Sequence, residues 1–181
     1  MLRITIPEAE YFDERTQTFI TTKQQSLSLE HSLVSISKWE SKWEKPFLSK
    51  DKKTTEETVD YIRCMTLTQN VDPNVYLGIN NDIVEQVSKY IDAPMTATWF
   101  NEDNNKRGGS REVVTSEVIY YWMVALNIPP EYQKWHLNRL LTLIRVCNAK
   151  NNPPKKMNKK DIYAENRRLN AARRKSSHTK G

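Results

Sequence analysis

Apolar and polar residues alternate at the start of the chain. In LRITI, Leu2, Ile4 and Ile6 are separated by Arg3 and Thr5, the period of two that marks a half-buried strand. TQTFITT is a second β-type run, and DERT between the two is placed to turn a hairpin. In SLSLE, Leu27 and Leu29 alternate with serines as a third short piece. The period then changes. From Ser32 onward Leu33, Ile36, Trp39 and Trp43 recur at helical spacing, with Lys38, Glu40, Lys42 and Glu44 on the other face, and Pro46 ends the run. After the polar stretch SKDKKTTEE, Thr54 or Thr55 is placed to cap a helix. Glu56 and Glu57 then stand in its first turn, where the helix dipole favours negative charge, and Val59, Ile62 and Met65 or Leu67 form its apolar face.

NVDPNVYLGIN reads as a loop. A helix from Asp82 to Ile91 follows, with Ile83, Val84, Val87 and Tyr90 inward and Pro94 as its stop. Two β-prone runs, Thr96 to Phe100 and Arg111 to Val114, flank a polar loop that holds two of the four glycines. The pattern fits an open hairpin or a mobile loop equally. Thr115 or Ser116 is then placed to cap a helix that is apolar nearly all round (Val118, Ile119, Tyr120, Trp122, Met123, Leu126), a pattern that predicts a position central to the core. Pro129 and Pro130 break the chain. Leu137, Leu140, Leu141, Ile144 and Cys147 then make a clean stripe, with Arg139, Thr142 and Arg145 facing away. The expected fold is α+β and helix-dominated: a small N-terminal β element, four or five helices, and a basic C-terminal arm. The expected division is one globular domain over 1–149 and an arm over 150–181, linked by proline and lysine, disordered alone or helical on binding.

Charge sharpens that division. The formal charge is +6, but from Lys150 onward 11 bases face two acids, Asp161 and Glu165, so the arm carries +9 and the rest −3. A nucleic-acid-binding domain usually spreads its bases over a face of the folded body, and that distribution is not visible here. MLRITIPEAE has no apolar core of a signal peptide. The longest apolar run, VIYYWMVAL, is far short of the roughly 20 residues of a membrane span, so no membrane association is expected. Cys64 and Cys147 lack CxxC spacing and read as core thiols of a reducing cytoplasm, with a disulfide between them as the alternative.

Catalytic chemistry is hard to place. His178 lies in the arm, His31 at a strand-to-helix switch and His136 at the opening of the last body helix. His136 and Cys147 share a helix face, yet 11 residues at ~1.5 Å each put them about 16 Å apart, too far for proton transfer. Cys64 with His136 is a pairing that sequence alone does not place. No HExxH, CxxC or DxDxDG spacing exists, and NNKRGGS lacks the order of a phosphate loop, so a surface turn is favoured over an anion nest. The expectation is a non-enzymatic protein with no cofactor and no metal. Five tryptophans and eight tyrosines are more than a small core requires, so rings left on the surface become candidate partner anchors. The candidates are Trp39, Trp43, Trp99, Phe100 and Trp135, with Lys155, Lys156, Arg167, Arg168, Arg173 and Arg174 of the arm. Base stacking would need cations interleaved with the rings, and around Trp39 and Trp43 the lysines are balanced by Glu40 and Glu44.

The segment EYQKWHLNRLLTLIRVCNAKNNPPKKMNKKDIYAENRRLNAARRK resembles the end of small proteins from tailed-bacteriophage structural-gene clusters. In these a WHLNRLLTLI-type helix precedes a proline-lysine linker and a closing NRRLNAARR-type segment. SLEHSLVSISKWESKWEKPF is similar to the same group, so the resemblance covers roughly residues 27–47 and 131–175. It implies a tail assembly chaperone, which binds the long tape-measure protein while tail-tube subunits polymerise around it. The class includes longer frameshifted products and has no known cofactor or active-site residue. It also implies a mainly helical chain, from which the β-like N-terminus departs, and action in the host cytoplasm during phage assembly. A structural virion component, such as a head–tail connector or tail protein, and a nucleic-acid binder acting through the arm are the alternatives. Self-association into a homo-oligomer is also open.

Overall fold

Four short strands, Leu2–Ile6 (β1), Ala9–Asp13 (β2), Thr18–Thr22 (β3) and Gln25–Leu29 (β4), form two antiparallel pairs in the computed structural model. The model describes residues 1–13, 17–100, 113–151 and 159–176. β1 pairs with β4, Ile4 opposite Leu27 and Leu2 opposite Leu29, and β2 pairs with β3, Phe12 opposite Phe19. The period-two reading holds for β1 and β4: Ile4, Ile6, Leu27 and Leu29 are buried while Arg3 and Thr5 are exposed. The expected hairpin between LRITI and TQTFITT does not form. β3 pairs instead with AEYFD, a strand the pattern hid because its Phe12 faces solvent beside Phe19, 5.1 Å away, rather than the core.

Helices follow: Leu33–Trp43 (α1), Thr55–Met65 (α2), Asn81–Asp92 (α3), Ser116–Ala125 (α4), Leu137–Asn151 (α5) and Lys159–Ser176 (α6). The architecture is α+β and helix-dominated, as the pattern predicts. Ser32 caps α1 and Thr54 caps α2, each through a reciprocal pair of hydrogen bonds with the residue three positions on, Ser35 and Glu57. Asn80 caps α3. Part of the expected loop after α2 is a 3₁₀ segment, Pro73–Gly78, with a 3₁₀ turn Pro130–Lys134 before α5. Gly78 is required where it stands, because a Cβ there would fall 2.6 Å from Ile6 Cγ2.

The core joins the inner face of β1 and β4 to α1, α2, α3, α5 and one side of α4. Leu27, Leu29, Leu33, Ile36, Ile62 and Leu140 are fully buried, each contributing about 1.5–3 kcal/mol relative to an exposed position. The chain leaving α2 runs beside β4, with Leu67 N–H donating to the Ser28 carbonyl (2.8 Å) and Glu30 N–H to the Met65 carbonyl (2.9 Å). The start of α5 is held to the start of α1, Leu137 N–H donating to the His31 carbonyl at 2.8 Å.

α4 departs from expectation twice. An all-round apolar helix predicted a central position, yet only Ser116, Ile119 and Met123 are buried, and Tyr121 and Val124 are 69% and 76% exposed. Its core contacts come from one side only. Neither Thr115 nor Ser116 caps it with a side chain. The Glu40 carboxylate reaches across from α1 instead, accepting Ser116 N–H at 2.7 Å through one oxygen and Phe47 N–H at 2.7 Å through the other.

Neither β-prone run around the glycine loop forms a strand within its described part. Residues 96–100 and 113–114 are irregular, and NNKRGGS lies outside the described residues. The chain divides into two compact units, Met1–Cys147 and Asn148–Gly181. In the second, every described side chain of α6 is exposed, including Tyr163, Leu169 and the four arginines Arg167, Arg168, Arg173 and Arg174. Among the described residues no helix is long and apolar enough to cross a membrane.

Candidate functional site

Asn138, in the first turn of α5, donates its amide to the Ile91 carbonyl (2.9 Å) and the Ala93 carbonyl (2.8 Å). These two bonds tie the end of α3 to α5, so the chain leaving α3 through Pro94 is laid along the outer side of α5. Met95 then takes a left-handed backbone (φ 49°), and Thr98 N–H donates to Thr96 Oγ1. The segment ends on Trp99, 82% exposed, and Phe100.

The opposing face of α5 presents its arginines to these rings. Arg145 places its guanidinium 4.2 Å from the Phe100 ring centre, and Arg139 lies 4.0 Å from that of Trp135. Trp135 in turn stacks on Tyr132 with centres 4.1 Å apart and planes 15° from parallel. Two open clefts run along this face. One of about 440 Å³ is lined by Met95, Trp135, Arg139, Leu143 and Val146 among others, and one of about 640 Å³ by Pro94, Trp99, Phe100, Leu141 and Arg145 among others. Among the described residues no carboxylate lines either cleft and neither arginine has an ion-pair partner. A guanidinium held over a ring keeps N–H groups for an acceptor brought by another molecule. Trp135 is thus brought onto one face with Trp99 and Phe100, which lie more than 30 residues earlier in the sequence.

Trp39 and Trp43 are placed differently. Trp39 is 1% exposed, packs edge-on against Phe47 and donates its indole N–H to the Glu57 carbonyl at 2.9 Å, so it belongs to the core. Trp43 stacks on Trp39, is half-buried, and donates its indole N–H to Asp60 (2.9 Å). The lysines around them are committed: Lys42 to Asp60 and Lys45 to Glu57, each at 2.5 Å. Burial acts to raise the Asp60 carboxyl, but the hydrogen bonds from Lys42 and Trp43 outweigh it and hold it below the ordinary value. The Lys45 hydrogen bond, helped by the Thr54 amide, lowers Glu57 likewise. The expected cancellation of Lys38 and Lys42 by Glu40 and Glu44 does not operate, since Glu40 points inward as a cap.

Of the arm candidates, Arg167, Arg168, Arg173 and Arg174 are exposed on α6, and Lys155 and Lys156 lie outside the described residues.

The histidines are structural partners of the core. His31 and His136 are both buried, ring centres 5.1 Å apart. His31 Nδ1 pairs with the Tyr61 hydroxyl at 2.5 Å, and His136 Nε2–H donates to the Tyr90 carbonyl (3.0 Å) while its Nδ1 accepts Asn138 N–H (3.3 Å). Burial first, and the neighbouring His136 second, lowers His31 from its ordinary 6.5 to about 3; burial lowers His136 as well. Both ring nitrogens of His136 are thus occupied. Burial pushes the Cys64 thiol up, away from thiolate, and both cysteines are free. Among the described residues no cluster of three His, Cys, Asp or Glu could hold a metal.

Arg139, Arg145 and Tyr132 are the residues of this face that the pattern did not select. Arg139 and Arg145 read as positions facing away from the apolar stripe, and Tyr132 fell in the proline-broken stretch before it; the available signal was the short step from Trp135 to Arg139 across the start of α5. Fold and site together define an α+β, helix-dominated chain with an exposed aromatic–arginine face on its last body helix. Comparison with protein-family models, with curated proteins and with solved structures returns no match.

Proposed function

We propose that the chain is a non-enzymatic assembly factor of a phage tail, a chaperone that binds the tape-measure protein in the host cytoplasm during tail morphogenesis. The observation that carries the protein-binding part is the exposed Trp99 beside the Trp135–Arg139 and Phe100–Arg145 pairs. Tryptophan, tyrosine and arginine are the residue types on which binding energy concentrates at protein interfaces. The tail-specific part rests on the sequence resemblance of residues 27–47 and 131–175. Co-purification of the full chain with the tape-measure protein from the same gene cluster is the test. Retention, together with absence of the chain from purified virions, supports the reading. No retention defeats it, and a fixed copy number in virions assigns the chain to the virion structure instead.

A second reading, nucleic-acid binding, draws on the exposed Arg167, Arg168, Arg173 and Arg174 of α6. It requires DNA affinity that falls steeply with salt and disappears when residues 150–181 are removed.

A further inference from the structure

We infer that the α5 face takes a polypeptide segment in which carboxylates stand among apolar side chains. This rests on the protein-binding reading above and adds the chemistry of the segment that is bound. Among the described residues the two clefts are lined by two guanidinium groups and no carboxylate, so this described lining is locally positive on a body whose sequence is mildly acidic. Both arginines are held over rings, which fixes their position and reduces the side-chain freedom lost when they grip an acceptor. Asp or Glu side chains meet those guanidinium edges with charge-assisted hydrogen bonds.

The rest of the lining separates a peptide from a nucleic acid. Beside the cations the clefts are lined by Pro94, Met95, Leu141, Leu143 and Val146, apolar ground that accepts Leu, Ile or Phe side chains, together with the polar Thr96, Thr98, Asn138 and Thr142. A single strand needs a groove of positive charge that follows the backbone over several nucleotides. Here the described lining supplies two cations, on a domain of 17 bases against 20 acids that does not attract a polyanion from a distance. A peptide needs only two local acid contacts and two or three apolar anchors, and the face holds those.

The test uses the full chain and overlapping 20-residue peptides tiled along the tape-measure protein of the same gene cluster, with intact tape-measure protein and a 20-nucleotide oligo-dT strand as parallel probes. The expected result is retention of tiles that combine Asp or Glu with Leu, Ile or Phe. Retention should weaken at least ten-fold in R139E/R145E and largely recover in R139K/R145K, with the unfolding midpoint unchanged because both side chains are exposed. Intact tape-measure protein bound equally well by wild type and R139E/R145E overturns this inference and leaves the proposed function standing. Basic or neutral tiles retained in preference to acidic ones also overturn it. Oligo-dT binding lost in R139E/R145E while no tile binds assigns the face to nucleic acid. Failure to bind any tile or the intact protein defeats both the inference and the function on which it rests.

Discussion

Two regions of this molecule are built from the same parts and have opposite fates. At α1 and α2, Trp39, Trp43 and Phe47 meet Lys42, Lys45 and Lys53; along α5, Tyr132, Trp135, Phe100 and Trp99 meet Arg139 and Arg145. In the first region Asp60 and Glu57 take up Lys42 and Lys45, the indole N–H groups are bonded internally, and the leading tryptophan is enclosed. In the second no acid among the described residues lines the clefts, and the cations rest on rings with acceptor-seeking edges left over. Tryptophan beside a cation is therefore not itself a binding signature. What separates a structural cluster from an available one is whether the fold also supplies the carboxylates.

The sharpest way to break this contrast is truncation on each side. Trp39→Ala should cost about 3–5 kcal/mol of stability, as removal of an enclosed large aromatic does, whereas Trp99→Ala should stay within about 0.5 kcal/mol. Urea unfolding of the two variants reads both, and a comparable loss at Trp99 would place that ring in the core. Next comes Glu40→Ala, which leaves the buried amides of Phe47 and Ser116 without an acceptor. At roughly 1–3 kcal/mol for each of the two stranded groups, a loss of about 2–6 kcal/mol is expected. Loss of α4 amide protection in hydrogen exchange should accompany it, and unchanged protection would mean that α4 does not depend on this cap.

Acid should destabilise the fold through its buried histidines, His31 and His136. His31, in ring contact with Phe47 and Tyr61, is held near 3 against an ordinary 6.5, so the unfolded chain binds its proton first as pH falls. The stability this group contributes is complete above about 6.5 and is lost progressively toward 3, at roughly 1.4 kcal/mol per unit. Unfolding midpoints at pH 7 and 4.5 should thus differ by on the order of 2–3 kcal/mol, and His31→Gln should flatten that slope. A slope unchanged in the variant would place the acid sensitivity elsewhere.

What could be seen in advance follows the range of the interaction. The alternation of Leu2, Ile4 and Ile6, the cap at Thr54, and the stripe Leu137, Leu140, Ile144 are all set within a few residues, and each is found in the fold. The strand Ala9–Asp13 was hidden because its most hydrophobic residue, Phe12, faces outward. The cap of α4 was hidden because its acceptor is 76 residues away, and no local pattern could show that an apolar helix such as α4 would be covered on one side only. For the candidate site, the aromatic surplus pointed to Trp99, Phe100 and Trp135 one by one. Their union with Arg139 and Arg145 depends on Asn138 holding the end of α3 against α5, a tertiary bond that spacing does not encode.

The central claim is that the open aromatic–arginine face, and not the enclosed tryptophan cluster, binds the client. Its most direct test is the affinity of full-length Trp99→Ser for the tape-measure protein, measured by calorimetry beside its urea midpoint. The account predicts affinity weaker by at least ten-fold, about 1.4 kcal/mol, with the midpoint unmoved. Wild-type affinity in that variant would contradict it.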